Sequence, residues 1–268
     1  MIIENLADGL EELSSDYEVK DKEHNLQILE SGQADICKSL SSAKLRENGI
    51  HIGFAGFFNL DIMANAKSSG GILCDVNSNQ QPMWNKVFDV IRKIDADIES
   101  GKITEENGRT ETISKLGHEL KFDKFQLKEL DDCIKDASSW LGTDENFSHI
   151  RKLVANNAIG AITLDITDDK SGFEKLSNFI KDKDAVVDTI YTSNIGYFFE
   201  REAKGFYYRG LENPKHRMWE NLEKLADERT LAINSDIKKK DKYHNTMASF
   251  SRKKNFAFSH KEETTRYR

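Results

Sequence analysis

The chain has 268 residues, of which 32% are charged and 38% hydrophobic, and its formal net charge is −7. This balance argues against a general nucleic-acid binder, whose surface needs cations to displace counterions from phosphates. No apolar run approaches the ~20 residues that span a bilayer, and no cationic stretch followed by an apolar one opens the sequence, so we expect neither a membrane span nor a Sec-type signal. Three scattered cysteines argue against a disulfide framework and against a cysteine zinc site. This cysteine usage is typical of a globular protein in a reducing cytoplasm.

The first part of the chain changes character at Gly49. Residues 1–48 are acidic and polar, with leucines and isoleucines at helical spacing, and we interpret them as a helical N-terminal cap. The run Gly49–Gly56 is short, apolar and ends in glycines, which is typical of a buried strand. A helix over 58–68 and a second buried strand over 71–76 are expected to follow.

The rest of the chain alternates between helical and strand patterns around a charged insertion at about 95–148. We predict helices over 82–94, 145–157, 171–181, 195–203 and 214–227, and we expect Asp144 to be the N-cap of the helix over 145–157. Strands are predicted over 159–166, 186–192 and 229–234. A C-terminal hairpin is predicted over 242–260, with its turn at 252–255.

Strands that alternate with helices predict an α/β, Rossmann-like fold with a mainly parallel sheet, here with a helical cap and a helical insertion. In such sheets ligands bind beyond the carboxyl ends of the strands. We divide the chain into the cap (1–48), an α/β catalytic domain (49–260) that contains the insertion, and a flexible tail (261–268).

A glycine-rich turn follows the first predicted strand, in the run from Gly53 through Gly56 to Asn59. Glycines let the backbone approach a ligand, and the next helix offers free N–H groups to an anion. Asp75 ends the second strand, nineteen residues after Gly56, where ribose hydroxyls are held in dinucleotide and S-adenosylmethionine folds, and Asn77 follows within reach. The pattern predicts a nucleoside-type ligand; the alternative is a tight turn beside a surface aspartate.

Polar residues also end the third and fourth predicted strands. Asp165 and Asp168 follow the third, and Ser193 and Asn194 follow the fourth. Their positions at carboxyl ends place them at the ligand crevice, where they would touch a base, a ribose or a phosphate. The same residue types also cap helices, so both interpretations stay open for these segments.

His216 and Glu220 lie four residues apart and therefore share one face of a predicted helix. Such a pair suits a base whose imidazole is oriented by a carboxylate, although a solvated surface pair has the same spacing. The other histidines, His51 among them, are assigned no role. The seven histidines form no HExxH or other metal spacing, so we predict no metal centre, and no Walker A sequence is present.

Six short motifs in this order resemble a bacterial family with a class I methyltransferase-like sheet, over roughly residues 49–240. They are Gly53-Phe-Ala-Gly-Phe-Phe-Asn59, Asp75-Val-Asn-Ser-Asn79, Asp144-Glu-Asn-Phe147, Leu164-Asp-Ile-Thr-Asp168, Tyr191-Thr-Ser-Asn194 and Trp219-Glu-Asn-Leu222. The resemblance implies a fold more than an activity.

A narrower resemblance is to the S-HxxxE signature of the LnaB-type bacterial effectors and toxins, here Ser193 with His216 and Glu220. Those proteins are actin-activated enzymes that transfer AMP from ATP. The resemblance implies ATP over the glycine turn with Asp75 near its ribose. Ser193 would position a phosphate, His216 would act as base or accept AMP transiently, and Glu220 would orient the imidazole. Mg²⁺ or basic side chains would neutralise the phosphates.

Three functions follow from these patterns. The first is an AMP-transferring effector, secreted into a host without a Sec-type signal, activated by a host protein such as actin and modifying a protein. The second is an S-adenosylmethionine-dependent methyltransferase, which uses Gly53, Gly56 and Asp75 but has no use for the His216–Glu220 pair and lacks an Asn-Pro-Pro-aromatic motif. The third is a non-catalytic binding module that engages a partner through its helical cap.

Overall fold

The structure is a computed structural model that describes residues 1–15, 33–167, 171–193, 195, 214–238 and 242–259. A 3-10 helix at Leu10–Leu13 opens the described chain. The helices are α1 (Gln33–Ser41), α2 (Phe58–Ala66), α3 (Gln80–Glu99), α4 (Glu105–Leu120), α5 (Lys124–Lys135), α6 (Asp144–Ala155), α7 (Gly172–Asp182), α8 (Pro214–Glu223) and α9 (Phe250–Ser259). The strands are β1 (Gly49–Phe54), β2 (Gly70–Asp75), β3 (Ile159–Thr163), β4 (Val186–Tyr191), β5 (Leu231–Lys238) and β6 (Lys242–Ser249).

The six strands form one sheet in the order β3-β2-β1-β4-β5-β6. All neighbouring pairs are parallel except β5 and β6, which form an antiparallel pair. The predicted α/β fold with a mainly parallel, Rossmann-like sheet is confirmed. From β1 the chain proceeds to one side through β2 and β3, then returns to β4 on the other side. The crevice at the carboxyl ends of β1 and β4 is therefore the topological switch point, where ligands bind in such sheets.

Helices cover both faces of the sheet, which is why its strands are apolar on both sides. On one face α2 to α6 pack against β2 and β3 around Trp84, Trp140 and Phe147. On the other face the N-terminal segment, α7 and α8 enclose a second core that includes Phe173 and Trp219. Every residue of β1 and of β3 is buried.

Buried charges join the helices of the insertion to one another and to α2. The guanidinium of Arg151 on α6 is 2% exposed and forms ion pairs with Asp95 of α3 and Glu105 of α4. The carboxylate of Asp61 on α2 accepts the Trp140 N–H at 2.6 Å. Burial raises the pKa of Asp61 to about 7. These contacts hold α3, α4, α6 and the loop before α6 in fixed positions around α2.

Two predicted local features are wrong. The C-terminal hairpin is formed by β5 and β6, and the expected turn at 252–255 lies instead within α9. That helix is anchored by Phe250, which packs edge-on against Trp219 at 5.4 Å between ring centroids. The N-cap of α6 is Thr143, whose hydroxyl accepts the Asn146 N–H, while Asp144 lies in the first turn.

Other boundaries differ by a few residues. The helix expected at 82–94 runs over Gln80–Glu99, and the one expected at 214–227 ends at Glu223. Much of the proposed cap lies outside the described residues, and the division of the chain into domains stays a prediction. Within the described part of the chain, no helix combines the length and the apolar character that a bilayer crossing requires.

Candidate functional site

The turn after β1 and the segment after β4 flank the switch point, and each contains a strained residue. Ala55 has φ of 67° and Ser193 has φ of 50°, in the left-handed region that side chains other than glycine rarely occupy. Such conformations cost of order 1–3 kcal/mol each and cluster at functional sites. Ala55 and Ser193 follow two adjacent strands at the topological switch point, where ligands bind in such sheets, and this crevice is therefore the candidate site.

Asn59 holds the turn after β1 from inside. Its side chain is fully buried, and its amide Nδ2 donates to the carbonyls of Phe54 at 3.2 Å, Ala55 at 3.2 Å and Gly56 at 2.8 Å. The turn therefore takes its shape from one side chain at the start of α2. We expected Asn59 to contact a cofactor, but its amide is directed at the protein's own backbone.

His51 on β1 continues this network into the sheet. Its Nε2 lies 2.9 Å from Asn59 Oδ1, and its Nδ1 lies 2.8 Å from Thr189 Oγ1 on β4. Because Nδ2 of Asn59 faces the carbonyls, Oδ1 faces the ring, so Nε2–H donates and Nδ1 accepts from the hydroxyl of Thr189. Burial lowers the pKa of His51 to about 4, so the ring is neutral at physiological pH.

Gly53 provides the space for the contact between His51 and Asn59. A Cβ atom on Gly53 would overlap Asn59 Oδ1 and His51 Nε2. The missing side chain thus serves internal packing, whereas the sequence suggested approach to a ligand. His51 and Gly53 are two residues apart and share one face of the strand. A histidine beside a glycine on that face is a sequence signal for a buried ring that packs closely against another side chain, although it does not identify the partners.

Asp75 ends β2 beside the turn after β1, as the sequence predicted. Its Oδ1 accepts the Asn77 N–H at 2.9 Å, and the side chain is half-buried. Burial raises the pKa of Asp75 to about 6. The pairing of Phe54 with Cys74 places Asp75 next to Ala55, at the start of the turn that contains Gly56. The convergence of the predicted cofactor-binding residues on one ligand stays a prediction.

Asp165 follows β3 and is used by a local turn. Its Oδ1 accepts the N–H of Thr167 at 2.8 Å and the hydroxyl of Thr167 at 2.7 Å. Among the described residues, no lysine or arginine forms an ion pair with Asp75 or Asp165. Asp168 and Asn194 lie outside the described residues.

His216 and Glu220 form the expected contact on α8. His216 Nδ1 lies 3.1 Å from Glu220 Oε1, and the two side chains are 35% and 54% exposed. The opposite side of α8 is buried through Met218 and Trp219. Ser193 is buried after β4, and its convergence with the pair stays a prediction. In the described part of the chain, no group of three or more His, Cys, Asp or Glu could hold a metal ion.

A family model described as "Domain of unknown function (DUF7790)" matches residues 122–264, which is more than half of the chain. The chain belongs to this family. The region of the DUF7790 match includes Ser193, His216 and Glu220, while the glycine turn and Asp75 precede it. No curated protein matches the chain.

Among solved structures, two of the rRNA methyltransferase aviRa from Streptomyces viridochromogenes, at 2.4 Å and 1.5 Å, are similar to this chain. Each is 12% identical with a TM-score of 0.39; the alignments cover 88% and 86% of this chain and 82% of the other. The fold assignment rests on the order and pairing of the strands.

Proposed function

We propose that the chain is a transferase of the methyltransferase type, which binds S-adenosylmethionine at the carboxyl ends of β1, β2 and β4. The observation that carries the proposal is the carboxylate of Asp75 at the end of β2, beside a turn that Asn59 holds rigidly. An acceptor at this point of the sheet is suited to the two hydroxyls of a ribose.

In this proposal the chain's residues bind and orient the cofactor. Asp75 accepts hydrogen bonds from the ribose hydroxyls, and Asn77 assists it. The N–H groups of the turn that contains Gly56, before α2, face the carboxylate of the methionine part, as helix N-termini favour anions. S-adenosylmethionine supplies an electrophilic methyl group on its sulfonium. Asp165, Ser193 and Asn194 remain candidates for contacts with the base and the acceptor.

The charges of the described residues favour this cofactor over ATP. Asp75 and Asp165 follow β2 and β3 at the carboxyl edge of the sheet, and neither forms an ion pair with a described lysine or arginine. S-adenosylmethionine carries a net positive charge, whereas ATP carries several negative charges that two carboxylates would repel. A cationic nucleoside is therefore the better match for this edge of the sheet.

Affinity for S-adenosylmethionine is expected to depend on the ionisation of Asp75. The pKa of Asp75 is about 6, raised by burial, and only the ionised form accepts from both ribose hydroxyls. As pH falls from about 7.5 to about 5, the carboxylate takes up a proton and affinity should fall about tenfold. Calorimetric titration across this range measures the effect.

The Asp75→Asn variant should bind about tenfold to a hundredfold more weakly at neutral pH and should lose this pH dependence. Asp89→Asn, an exposed aspartate of α3, is the matched control and should behave like the wild type. Wild-type protein that does not bind S-adenosylmethionine, or Asp75→Asn that binds it equally well, would contradict the proposal.

AMP transfer from ATP is the second candidate, and the contact between His216 and Glu220 favours it. A carboxylate 3.1 Å from Nδ1 would orient the ring. In this candidate Ser193 positions a phosphate, and His216 either takes the proton of the attacking group or accepts AMP transiently. The bond between the α- and β-phosphates breaks, and pyrophosphate leaves. The activating partner would be a host protein such as actin, as the resemblance implies.

Labelled ATP, with and without actin, tests this second candidate. His216→Ala should abolish AMP transfer, while His118→Ala, an exposed histidine of α4, should leave it unchanged. Transfer that survives His216→Ala, or its absence from the wild type, would exclude the AMP-transfer candidate. A chain that binds neither ATP nor S-adenosylmethionine would instead favour the binding module.

A further inference from the structure

A cavity of about 430 Å³ lies beside the edge strand β3, away from the carboxyl-end crevice. Its floor is residues 159–161 of β3, and its walls are residues 7–11 of the chain and one face of α3. The volume falls within the range of small-ligand sites, roughly 300–1,000 Å³. Neither the glycine turn nor Asp75 lines it, so it forms a second, separate candidate site.

The backbone direction of β3 follows from its hydrogen bonds to β2. The carbonyl of Ala158 accepts the Gly71 N–H, and the N–H of Leu164 donates to the Asp75 carbonyl. In a parallel ladder, alternate residues face the same neighbour, so the even-numbered residues of this strand face β2. The odd-numbered residues direct their N–H and C=O groups outward, toward the edge of the sheet.

The N-terminal segment covers this edge at its two ends. Ala7 N–H donates to the Asn157 carbonyl at 2.9 Å, and Ser15 N–H donates to the Thr163 carbonyl at 2.9 Å. Between these contacts the segment leaves the strand and forms the 3-10 helix at Leu10–Leu13. Residues 1–15, as far as the structure describes this segment, therefore form no backbone hydrogen bond with two outward-facing positions at the middle of the edge.

Those two positions are Ile159 and Ala161, which form the floor of the cavity. Both are buried, with 1% and 8% of their surface exposed. No backbone or side-chain hydrogen bond within the described residues reaches their outward N–H and C=O groups. Because buried backbone groups are almost always paired, these four groups require a partner in the cavity.

We propose that the cavity binds a short peptide in extended conformation, which adds a three-residue strand to β3. In an antiparallel arrangement, the first and third residues of the peptide each exchange two hydrogen bonds with one strand residue, Ile159 or Ala161. All four outward groups are then paired. Ala7 and Ser15 occupy the adjoining positions, so the bound segment is limited to about three residues.

The side chains of the walls indicate which peptide fits. Asp8 and Glu11 lie on the N-terminal wall and attract a basic side chain or a free amino group. Arg92 lies on the α3 wall, together with the amide of Asn85, and attracts a terminal carboxylate. A free tripeptide with a lysine, such as Ala-Lys-Ala, carries these charges and is the probe of choice.

Titration of ¹⁵N-labelled protein with Ala-Lys-Ala tests the proposal. In the free protein the amides of Ile159 and Ala161 should exchange faster than those of Gly160 and Ile162, which face β2, because no described residue pairs with the outward groups. Binding should shift both signals and slow their exchange. An analogue N-methylated at the third residue lacks the amide donor for one strand carbonyl and should bind about tenfold more weakly.

Two variants of α3 distinguish binding of the peptide in the cavity from binding elsewhere on the surface. Asn85→Trp should fill the cavity and lower peptide affinity at least about tenfold. Lys86→Trp, an exposed neighbour that does not line the cavity, is the matched control and should bind like the wild type. The proposal is overturned if millimolar peptide leaves both amide signals unmoved, if both amides exchange slowly without peptide, or if the two tryptophan variants bind equally.

Discussion

Replacing Asn59 with alanine is expected to lower the free energy of unfolding by about 3 kcal/mol, a large part of the stability of a typical domain. The amide of Asn59 donates to the carbonyls of Phe54, Ala55 and Gly56, and its Oδ1 accepts from His51. The His51 ring and the carbonyls of Phe54 and Gly56 are buried, so water does not replace the lost partner there. Alanine therefore leaves the His51 N–H and at least one carbonyl buried and unpaired.

Asn65→Ala is the matched control on the same helix. The amide of Asn65 donates to the carbonyls of Asp61 and Ser138, but the side chain is partly exposed. Because water can take its place, this variant should lose only about 1 kcal/mol. Urea unfolding of both variants, followed by circular dichroism, compares them with the wild type. Equal losses of unfolding free energy in the two variants would show that the buried hydrogen bonds of Asn59 and His51 contribute no more to stability than the partly exposed ones of Asn65.

Asn59→Ala should also weaken binding at the proposed cofactor site. Without Asn59 the carbonyls of the turn are free to rotate, and the left-handed conformation of Ala55 loses its support. Affinity for S-adenosylmethionine should therefore fall in Asn59→Ala even under conditions where the protein is fully folded. Asn65→Ala should retain the affinity of the wild type, which separates positioning of the turn from general destabilisation.

The general plan of the fold could be predicted because its signals are local. Short apolar runs that end in glycine or in a polar residue mark the parallel strands, and the helical spacing between them marks the crossovers. Asp75 was placed correctly for the same reason, since the end of a strand is visible in sequence. The strand order then brings the predicted glycine turn and Asp75 together.

The network of His51 could not be predicted, because it depends on a long-range pairing. His51 and Thr189 are 138 residues apart and meet only because β1 lies beside β4. The C-terminal helix was missed for a related reason. Apolar and polar residues alternate weakly after residue 242 and continue to do so beyond β6, which predicts a strand. The chain instead forms α9 there, and Phe250 at its start packs on Trp219 of α8. Tertiary contacts of this kind override local patterns.

Arg151→Met is expected to lower the free energy of unfolding by about 3 kcal/mol, at the low end of the range for breaking a buried ion pair. Arg151 is almost fully buried and forms ion pairs with Asp95 and Glu105, which belong to two different helices. Its guanidinium also lies over the ring of Phe147, 5.6 Å from the centroid. The loss is moderated because both carboxylates partly reach water, with 18% and 31% of their side chains exposed.

Arg92→Met provides the comparison on the surface. Arg92 is 43% exposed and pairs with Asp89 within α3, so its loss should change stability by less than about 1 kcal/mol. In the Arg151→Met background, Asp95→Asn and Glu105→Gln should recover part of the loss, because they remove the uncompensated charges. Thermal and urea unfolding measure all these variants. Equal effects of Arg151→Met and Arg92→Met would mean that packing of the apolar faces alone attaches α4 and α6 to the rest of the protein.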